Sequence, residues 1–542
     1  MQRPYSSNDL QSYFWESLPA SMMYNPCVFM TTPQPQKRFF FSPSNRALIP
    51  ILILLLGLGL TIRLYDLTDL PLDFHATRQL FSAIKARGMY YETLENAPPK
   101  ERAFAVQQWK KKSAIEPEIL ERLTAFTYRF TGERLWIARL YSSLFWVVGA
   151  IFLFLLARNL TSTDGGIAAL VFYLFLPYAV FASRSFQPDP LMTALLVAYW
   201  WAINRWSTHP TWRWTFLTGL LGGLTILVKF VAAFFVIGGT LGVVLSRWKW
   251  RQVICNPKIW GLILLGALPG TVYLYYGIFV AGFLGQYFGG RFIPTLLLDP
   301  LNYWRWFRQI EMVTGGIMFV LGLLGLFFVE KKAARSFLIG LWVTYGLYGL
   351  YFNYHIASHD YYSLPLIPIV ALSLAAPVEW MLSRLAEVTA NTRLLHSGAL
   401  FLLAFGLGTH LLNLRGEMKA VDYRPQAAYW AEIRRLLAGE NTVALTQDYG
   451  TRLIYWGWRS ATCWPNSGDI YYHADLRNGK SDFEEQFAVL TKKKRYFLVT
   501  DLDDLERQPW LKERLFGAYS LYAQGDGFLI FDLYLPLMPE SP

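Results

Sequence analysis

Long uncharged runs alternate with short charged stretches through most of this chain. A membrane-spanning helix needs about 20 mainly apolar residues, and fewer where flanking side chains snorkel. On that basis the pattern predicts about eleven spans, near 47–65, 139–157, 165–184, 190–204, 214–228, 230–246, 258–281, 312–329, 336–355, 361–380 and 394–414. The pair around Lys229 reads either as two short helices meeting at a charged turn or as one long buried helix.

Composition points the same way. Of 542 residues, 54% are hydrophobic and only 16% charged, and the mean hydropathy is +0.26, whereas soluble proteins carry about 25% charged residues. This predicts an integral membrane protein. It excludes a disordered chain, a collagen-like fibre and a disulfide-stapled secreted module. The net charge of +12 is scattered between apolar runs, so no nucleic-acid partner is expected. Cys27, Cys255 and Cys463 share no metal-ligand spacing and form no CxxC.

Basic residues in short loops are retained in the cytoplasm. Beginning with Lys37, Arg38 and Arg46 inside, every second loop is basic: Arg158; Arg205 and Arg213; Arg247, Lys249, Arg251 and Lys258; Lys331, Lys332 and Arg335; Arg384 and Arg393. The same loops hold only Asp164, Glu330, Glu379 and Glu387 as acids. An odd number of spans then puts the C-terminal end outside. Three parts are expected: a cytoplasmic tail at 1–46 without periodicity, a membrane domain at 47–414 with a large first outer loop at 66–138, and an extracytoplasmic α/β domain at 415–542. The first span lacks a small-residue cleavage site and should remain as an anchor.

In the first loop, Leu80, Phe81 and Ile84 share a helical face, and Ile119, Leu123, Phe126 and Phe130 recur at helical spacing after Pro117. These helices are expected to lie at the membrane surface or to pack on the protein. In the terminal segment, Trp430, Ile433 and Leu437 predict a helix, and 443–445, 496–499 and 528–531 predict apolar strands. The run Lys492 to Arg495 reads as a solvated face.

Ionisable residues with chemical promise gather on the outer side. After the first span comes Asp69-Leu-Pro-Leu-Asp73-Phe74-His75-Ala-Thr-Arg78, and Glu116-Pro117 follows in the first loop. Arg184-Ser-Phe-Gln187-Pro-Asp189 forms a Pro-stiffened turn after the third span, and Lys229 occupies another outer turn. His355 to Pro365, containing His359-Asp360-Tyr361-Tyr362, follows the ninth span. Each alone suits an interfacial anchor or a solvated loop. Taken together they predict one site.

With these motifs the chain resembles a polytopic C-type glycosyltransferase of family 39, the group of protein O-mannosyltransferases and aminoarabinose transferases, in its bacterial branch. The matching elements are Asp73-Phe74-His75 with Arg78, Glu116-Pro117, Arg184 to Asp189, Lys229, and His359 to Tyr362 with Leu364-Pro365. A single Asp followed by Phe-His stands where eukaryotic mannosyltransferases carry an Asp-Glu pair, so the acceptor's identity does not carry over.

The resemblance implies an α-helical C-type fold in the bacterial inner membrane. It implies transfer of a sugar from a polyprenyl-phosphate donor to a glycan, lipid or protein acceptor at the outer face, with inversion. A phosphodiester needs fixed positive charge, which Arg184, Lys229, Arg78 and Arg291 are expected to supply. Asp73 is the expected general base for the acceptor hydroxyl. His75, Glu116, Asp189, His359, Asp360, Tyr361 and Tyr362 are expected to position substrate. No cofactor is expected; a divalent metal would suit such chemistry, but no ligand cluster supports one. Two rivals share some of these features. One is an oligosaccharide ligase using a lipid-pyrophosphate donor. The other is a secondary transporter with Lys229 in its substrate path, although no span carries a central acid and no inverted repeat is visible.

Overall fold

The computed structural model describes residues 48–112, 116–284, 291–388, 392–474 and 482–536. The expected tail at 1–46 lies outside the described residues.

Every apolar run read from the sequence falls on a helix. The helices are Leu48–Leu64, Trp136–Leu160, Thr163–Phe175 with Pro177–Ser183, Asp189–Thr208, Trp212–Val228, Ala232–Arg247, Pro257–Tyr275, Gly316–Phe328, Lys332–Tyr351, Leu366–Val388 and Thr392–Met418. Four helices among the described residues are long and apolar enough to cross a membrane alone, or six if each of two bent pairs is one span. The protein is therefore a multi-pass membrane protein. Its helices also show abundant apolar side chains to the outside, such as Ile263, Leu264, Leu268 and Val272 on Pro257–Tyr275, as a lipid-facing surface requires.

Three breaks shape the membrane part. Pro177 has no N–H to continue the preceding helix and instead starts a new one, bent by 63°. Gly315, at φ 78°, ends the amphipathic helix Pro300–Thr314, and the chain turns by 90° into Gly316–Phe328. At Lys229 the backbone is extended between Trp212–Val228 and Ala232–Arg247, which selects two helices over one long one.

Helices approach closely where side chains are absent. A Cβ on Gly238 would sit 1.7 Å from Thr344 Oγ1, and one on Gly340 would sit 2.6 Å from the Gly238 carbonyl. Helices Ala232–Arg247 and Lys332–Tyr351 thus pack backbone to backbone. Elsewhere large aromatics fill the interior: Trp146 stacks on Tyr173 at 4.4 Å, and Trp200 and Trp206 are fully buried.

The first loop folds into helices Ala76–Thr93, Pro99–Lys111 and Ile119–Thr131. Leu80 and Ile84 are buried as their spacing predicts. On Ile119–Thr131 the buried side is Leu120, Thr124, Ala125 and Tyr128, while Ile119, Phe126 and Phe130 are exposed. That helix packs on the protein through one face, as one of the two expectations for it had it, and shows an apolar second face outward.

The terminal segment forms a five-stranded sheet. Its strands are β1 (Thr442–Leu445), β2 (Thr462–Cys463), β3 (Tyr496–Val499), β4 (Tyr519–Gly525) and β5 (Phe528–Pro536), in the order β2-β1-β3-β5-β4. β1 lies parallel to β2 and β3, and β5 runs antiparallel to β3 and β4. Alternate residues of β1 and β3 serve two cores, because successive side chains point to opposite faces. Val443, Leu445, Phe497 and Val499 meet Trp464 and Leu511, while Ala444, Tyr496 and Leu498 meet Trp430, Ile433 and Leu437.

This sheet segment is fastened to the first loop. The buried Arg87 guanidinium donates to Glu133 at 2.7 Å and to the Tyr455 carbonyl, and lies over the rings of Tyr455 and Trp458. The Tyr455 hydroxyl also donates to Glu133. Nearer the first helix, the Tyr423 amide donates to Asp69 at 3.1 Å, and Arg424 pairs with Asp66.

Candidate active site

The loop from 65 to 75 owes its path to two residues in the left-handed region, Asp66 (φ 49°) and His75 (φ 43°). Such a conformation is costly for a side chain with a Cβ and persists only when surrounding contacts enforce it. At His75 those contacts diverge. Asp73, just before it, meets helix Trp136–Leu160, whereas the His75 imidazole meets Asp360 Oδ1 at 2.5 Å.

Asp73 is held from several sides. Arg139, fully buried in the first turn of its helix, donates Nη2 to Asp73 Oδ2 and Nη1 to the Asp69 carbonyl at 2.9 Å. Arg184 Nε lies 3.8 Å from the same Asp73 oxygen, and its Nη2 donates to the Asp66 carbonyl at 3.0 Å. Gln79 Nε2 reaches Asp73 Oδ1 at 3.4 Å while its Oε1 accepts from the Phe186 amide at 2.9 Å. Two guanidinium groups therefore hold this carboxylate in place.

A second group of charges surrounds two rings. Lys229 Nζ donates to Asp189 Oδ1 at 2.7 Å and lies 5.2 Å from the Tyr361 ring centre and 5.9 Å from that of Tyr362. Arg78 bonds Glu116 at 3.3 Å and sits 5.6 Å from the Tyr361 ring centre. Arg291 Nη1 bonds His355 Nε2 at 2.9 Å and the Tyr362 hydroxyl at 3.4 Å. Three cations thus converge on one aromatic pair. Asp189 Oδ2 and both polar atoms of the Gln187 side chain are buried without a protein hydrogen bond, which leaves polar valence available at the site.

Charge states follow from these contacts. Burial pushes the Glu116 carboxyl up, but Arg78, Lys229 and Lys85 outweigh it and hold the group below its ordinary value. Burial also raises Asp360, and the His75 contact, with hydrogen bonds from Tyr178 and the Tyr361 backbone, more than reverses it. His359 is driven down to about 4 by burial, with His75 and Arg78 adding to the effect against Asp360, so its imidazole is neutral near pH 7. Among the described residues no three His, Cys, Asp or Glu side chains gather as metal ligands.

The three distant segments predicted to meet do so: 73–78 touches 360–361 through His75 and Arg78, and 189 with 229 reaches the same tyrosines. Asp73, His75, Arg78, Glu116, Arg184, Asp189, Lys229, His359, Asp360, Tyr361 and Tyr362 all fall in this assembly. Arg184 is turned to Asp73 and the Asp66 carbonyl, apart from the cations around the rings. Sequence reasoning missed Arg139 and Gln79. Arg139 opens an apolar run and reads there as a flanking charge; its burial is the signal that an intramembrane-edge cation has a partner.

Residues 117–276 match the profile of the family described as dolichyl-phosphate-mannose-protein mannosyltransferase. No curated protein matches the chain in sequence. In structure the chain is similar to ArnT from Cupriavidus metallidurans in the apo state, with a TM-score of 0.52 at 14% identity over 90% of this chain and 98% of that one. The fold is that of a C-type membrane glycosyltransferase. ArnT bound to undecaprenyl phosphate gives a TM-score of 0.51 at 14% identity, covering 89% and 98% of the two chains. The archaeal oligosaccharyltransferase AglB from Archaeoglobus fulgidus, in complex with an inhibitory peptide and a dolichol-phosphate, gives 0.50 at 12% identity over 89% and 74%. The family-39 resemblance read from the motifs is thus met by a family match in the segment that contains Arg184, Asp189 and Lys229, and by the C-type fold over nearly the whole chain.

Proposed function

We propose that this protein transfers a sugar from a polyprenyl-phosphate donor to an acceptor hydroxyl at the outer face of a bacterial inner membrane, with inversion. In this reading the chain crosses the membrane eleven times, with its N-terminus cytoplasmic and its sheet domain, 415–542, extracytoplasmic. The observation that carries it is the pairing of a carboxylate anchored by Arg139 at Asp73 with a separate shell of cations around Tyr361 and Tyr362. The C-type fold, seen with undecaprenyl phosphate in ArnT and with a dolichol-phosphate in AglB, supports a lipid-phosphate donor.

The division of labour follows from charge. Arg78, Lys229 and Arg291 face the donor phosphate and stabilise the negative charge it gains as the bond from the sugar's anomeric carbon to the phosphate oxygen breaks. Each such contact is worth about 2.7–4 kcal/mol in comparable sites. The acceptor oxygen attacks that carbon from the opposite face and its proton passes to Asp73, which inverts the configuration. Arg139 and Arg184 serve Asp73 by holding it aimed. Tyr361 and Tyr362 offer ring faces to the sugar. His75 and Asp360 tie the Asp73 loop to the tyrosine segment, and neutral His359 can donate or accept a hydrogen bond.

The purified protein, given a panel of radiolabelled polyprenyl-phosphate sugars and membrane extract, should move one label onto an acceptor, and Asp73→Asn should slow that movement at least about a hundredfold. Transfer from pyrophosphate-linked donors alone would favour the ligase reading. Solute uptake into proteoliposomes that depends on Lys229 and not on Asp73 would favour the transporter.

A further inference from the structure

The sheet segment contains a cleft that the transfer chemistry does not use. It encloses about 480 Å³ between helices Ser467–Ala474, Phe483–Thr491 and Pro509–Ala518, with Trp464, Tyr471, Phe483, Arg507 and Trp510 in its lining. This volume falls in the range of small-ligand sites. The floor is rigid: the buried Trp464 indole donates to Gln508 Oε1 at 2.8 Å, and Gln508 Nε2 donates to Asp504 at 2.7 Å and to the Pro465 carbonyl at 3.2 Å. Polar groups beneath the cleft are therefore already satisfied.

The rim is different. Trp510 is 72% exposed and Tyr471 42% exposed, so two large ring faces stand open to water. Arg507 is exposed beside them, and its guanidinium makes no hydrogen bond or ion pair among the described residues. Among the described residues no carboxylate lines the cleft. Open aromatic faces bind a ring that presents C–H surface on one side and hydroxyls on its edge, and a planar guanidinium whose charge Asp501 feels but whose N–H groups are not taken up suits a carboxylate or phosphate on that ring.

The cleft's position adds a second argument. Ser467, Ile470, Tyr471 and Ala474 line it, at the spacing of one helix face. Tyr472, on another side of the same eight-residue helix, packs on Tyr354 with ring centres 4.7 Å apart, and Tyr354 lies 5.5 Å from His355, the partner of Arg291. A helix about 12 Å long therefore links the cleft to the cation shell of the active site.

We propose that this cleft binds an acidic saccharide, a sugar bearing a carboxylate or phosphate, belonging to the acceptor. The word acceptor rests on the transferase reading; the binding does not. Ring stacking on Trp510 and Tyr471 with Arg507 on the acidic group holds the acceptor at one point outside the site where transfer occurs.

The test is retention of the intact detergent-purified protein on an array of bacterial envelope saccharides with acidic and neutral arms. Acidic saccharides should be retained at least about tenfold more strongly than neutral ones, and Trp510→Ala and Arg507→Ala should each lose about tenfold or more. Trp510→Phe, which keeps a ring, should retain part of the binding, and the exposure of position 510 makes a folding defect easy to recognise by thermal unfolding. No retention of any saccharide, equal retention of both arms, or full retention by the two alanine variants overturns the proposal. Binding is read without turnover, so Asp73→Asn protein should be retained like wild type. Retention without any sugar transfer would sink the transferase reading alone, and transfer without retention would sink this one alone.

Discussion

Replacing Asp73 by Asn removes one negative charge and leaves nearly the same shape, which makes it the sharpest probe of the proposed chemistry. A general base contributes about 10²–10⁴-fold, or about 2.7–5.5 kcal/mol of barrier at 1.36 kcal/mol per decade. The structure adds a second expected effect. Arg139 is fully buried and loses its ionic partner, but it keeps the Asp69 carbonyl at 2.9 Å and can still meet the amide oxygen of the new side chain. The stability loss should then be about 1.5–3 kcal/mol, the worth of a hydrogen bond to a charged group, below the 3–5 kcal/mol of a fully orphaned buried charge. Single-turnover transfer of a labelled sugar, measured beside thermal unfolding in the same detergent, separates the two. A variant that unfolds slightly early and transfers at least about a hundredfold more slowly fits the assignment. A folded variant working within about tenfold of wild type refutes it.

Lys229→Ala leaves Asp189 buried without its partner, so we expect a stability loss of about 3–5 kcal/mol together with weaker donor use; a rise in donor KM in the protein that remains folded is the diagnostic, and an unchanged KM refutes the phosphate role. His359 should make stability depend on pH. Its folded value of about 4 lies below the ordinary value of about 6.5, so the unfolded chain binds more protons between them. Its contribution is complete above the ordinary value and is lost as pH falls through the interval. His359→Gln should flatten that part of a melting-temperature profile; an unaltered slope would show that His359 does not titrate this way. The acid limb below pH 4 should instead involve Asp360, whose contribution is lost as pH falls through its lowered folded value. Arg87→Ala should leave Glu133 with the Tyr455 hydroxyl but without its cation, loosen the sheet segment and quicken limited proteolysis near Tyr455, and Arg87→Lys should rescue it only partly because an ammonium cannot repeat the planar contacts with Glu133, Tyr455 and Trp458; a protease-resistant Arg87→Ala protein would refute the clamp.

The helices were legible because lipid exposure and burial both demand apolar residues, and every long run named from the sequence became a helix. Strands β1 and β3, wholly buried, and the largely buried first part of β5 were legible for a related reason: short buried segments leave a compact apolar signature. The bends were harder to read. Pro177 and Gly315 change the axis without changing hydrophobicity, so runs read as straight contain a kink or start late. The amphipathic helix Pro300–Thr314 carries too many polar residues to register as a span.

At the site, the motif residues could be listed but their partners could not. Arg139 and Asp73 are far apart in sequence, and nothing local says that the guanidinium at the head of an apolar run turns inward. The separation of Arg184 from Arg78 and Lys229 was hidden for the same reason. A cation's partner is decided by helix packing, and one sequence reports the charge without the packing.

The fastening of the sheet segment to the first loop bears on protein engineering. Arg424 grips Asp66 and the Tyr423 amide grips Asp69, while Arg139 joins the Asp69 carbonyl to Asp73. A chimera that imports a foreign C-terminal module must therefore bring matching residues at 66–69 and at the Arg87 clamp, because grafting at position 415 alone would cut the anchorage of the loop that carries Asp73.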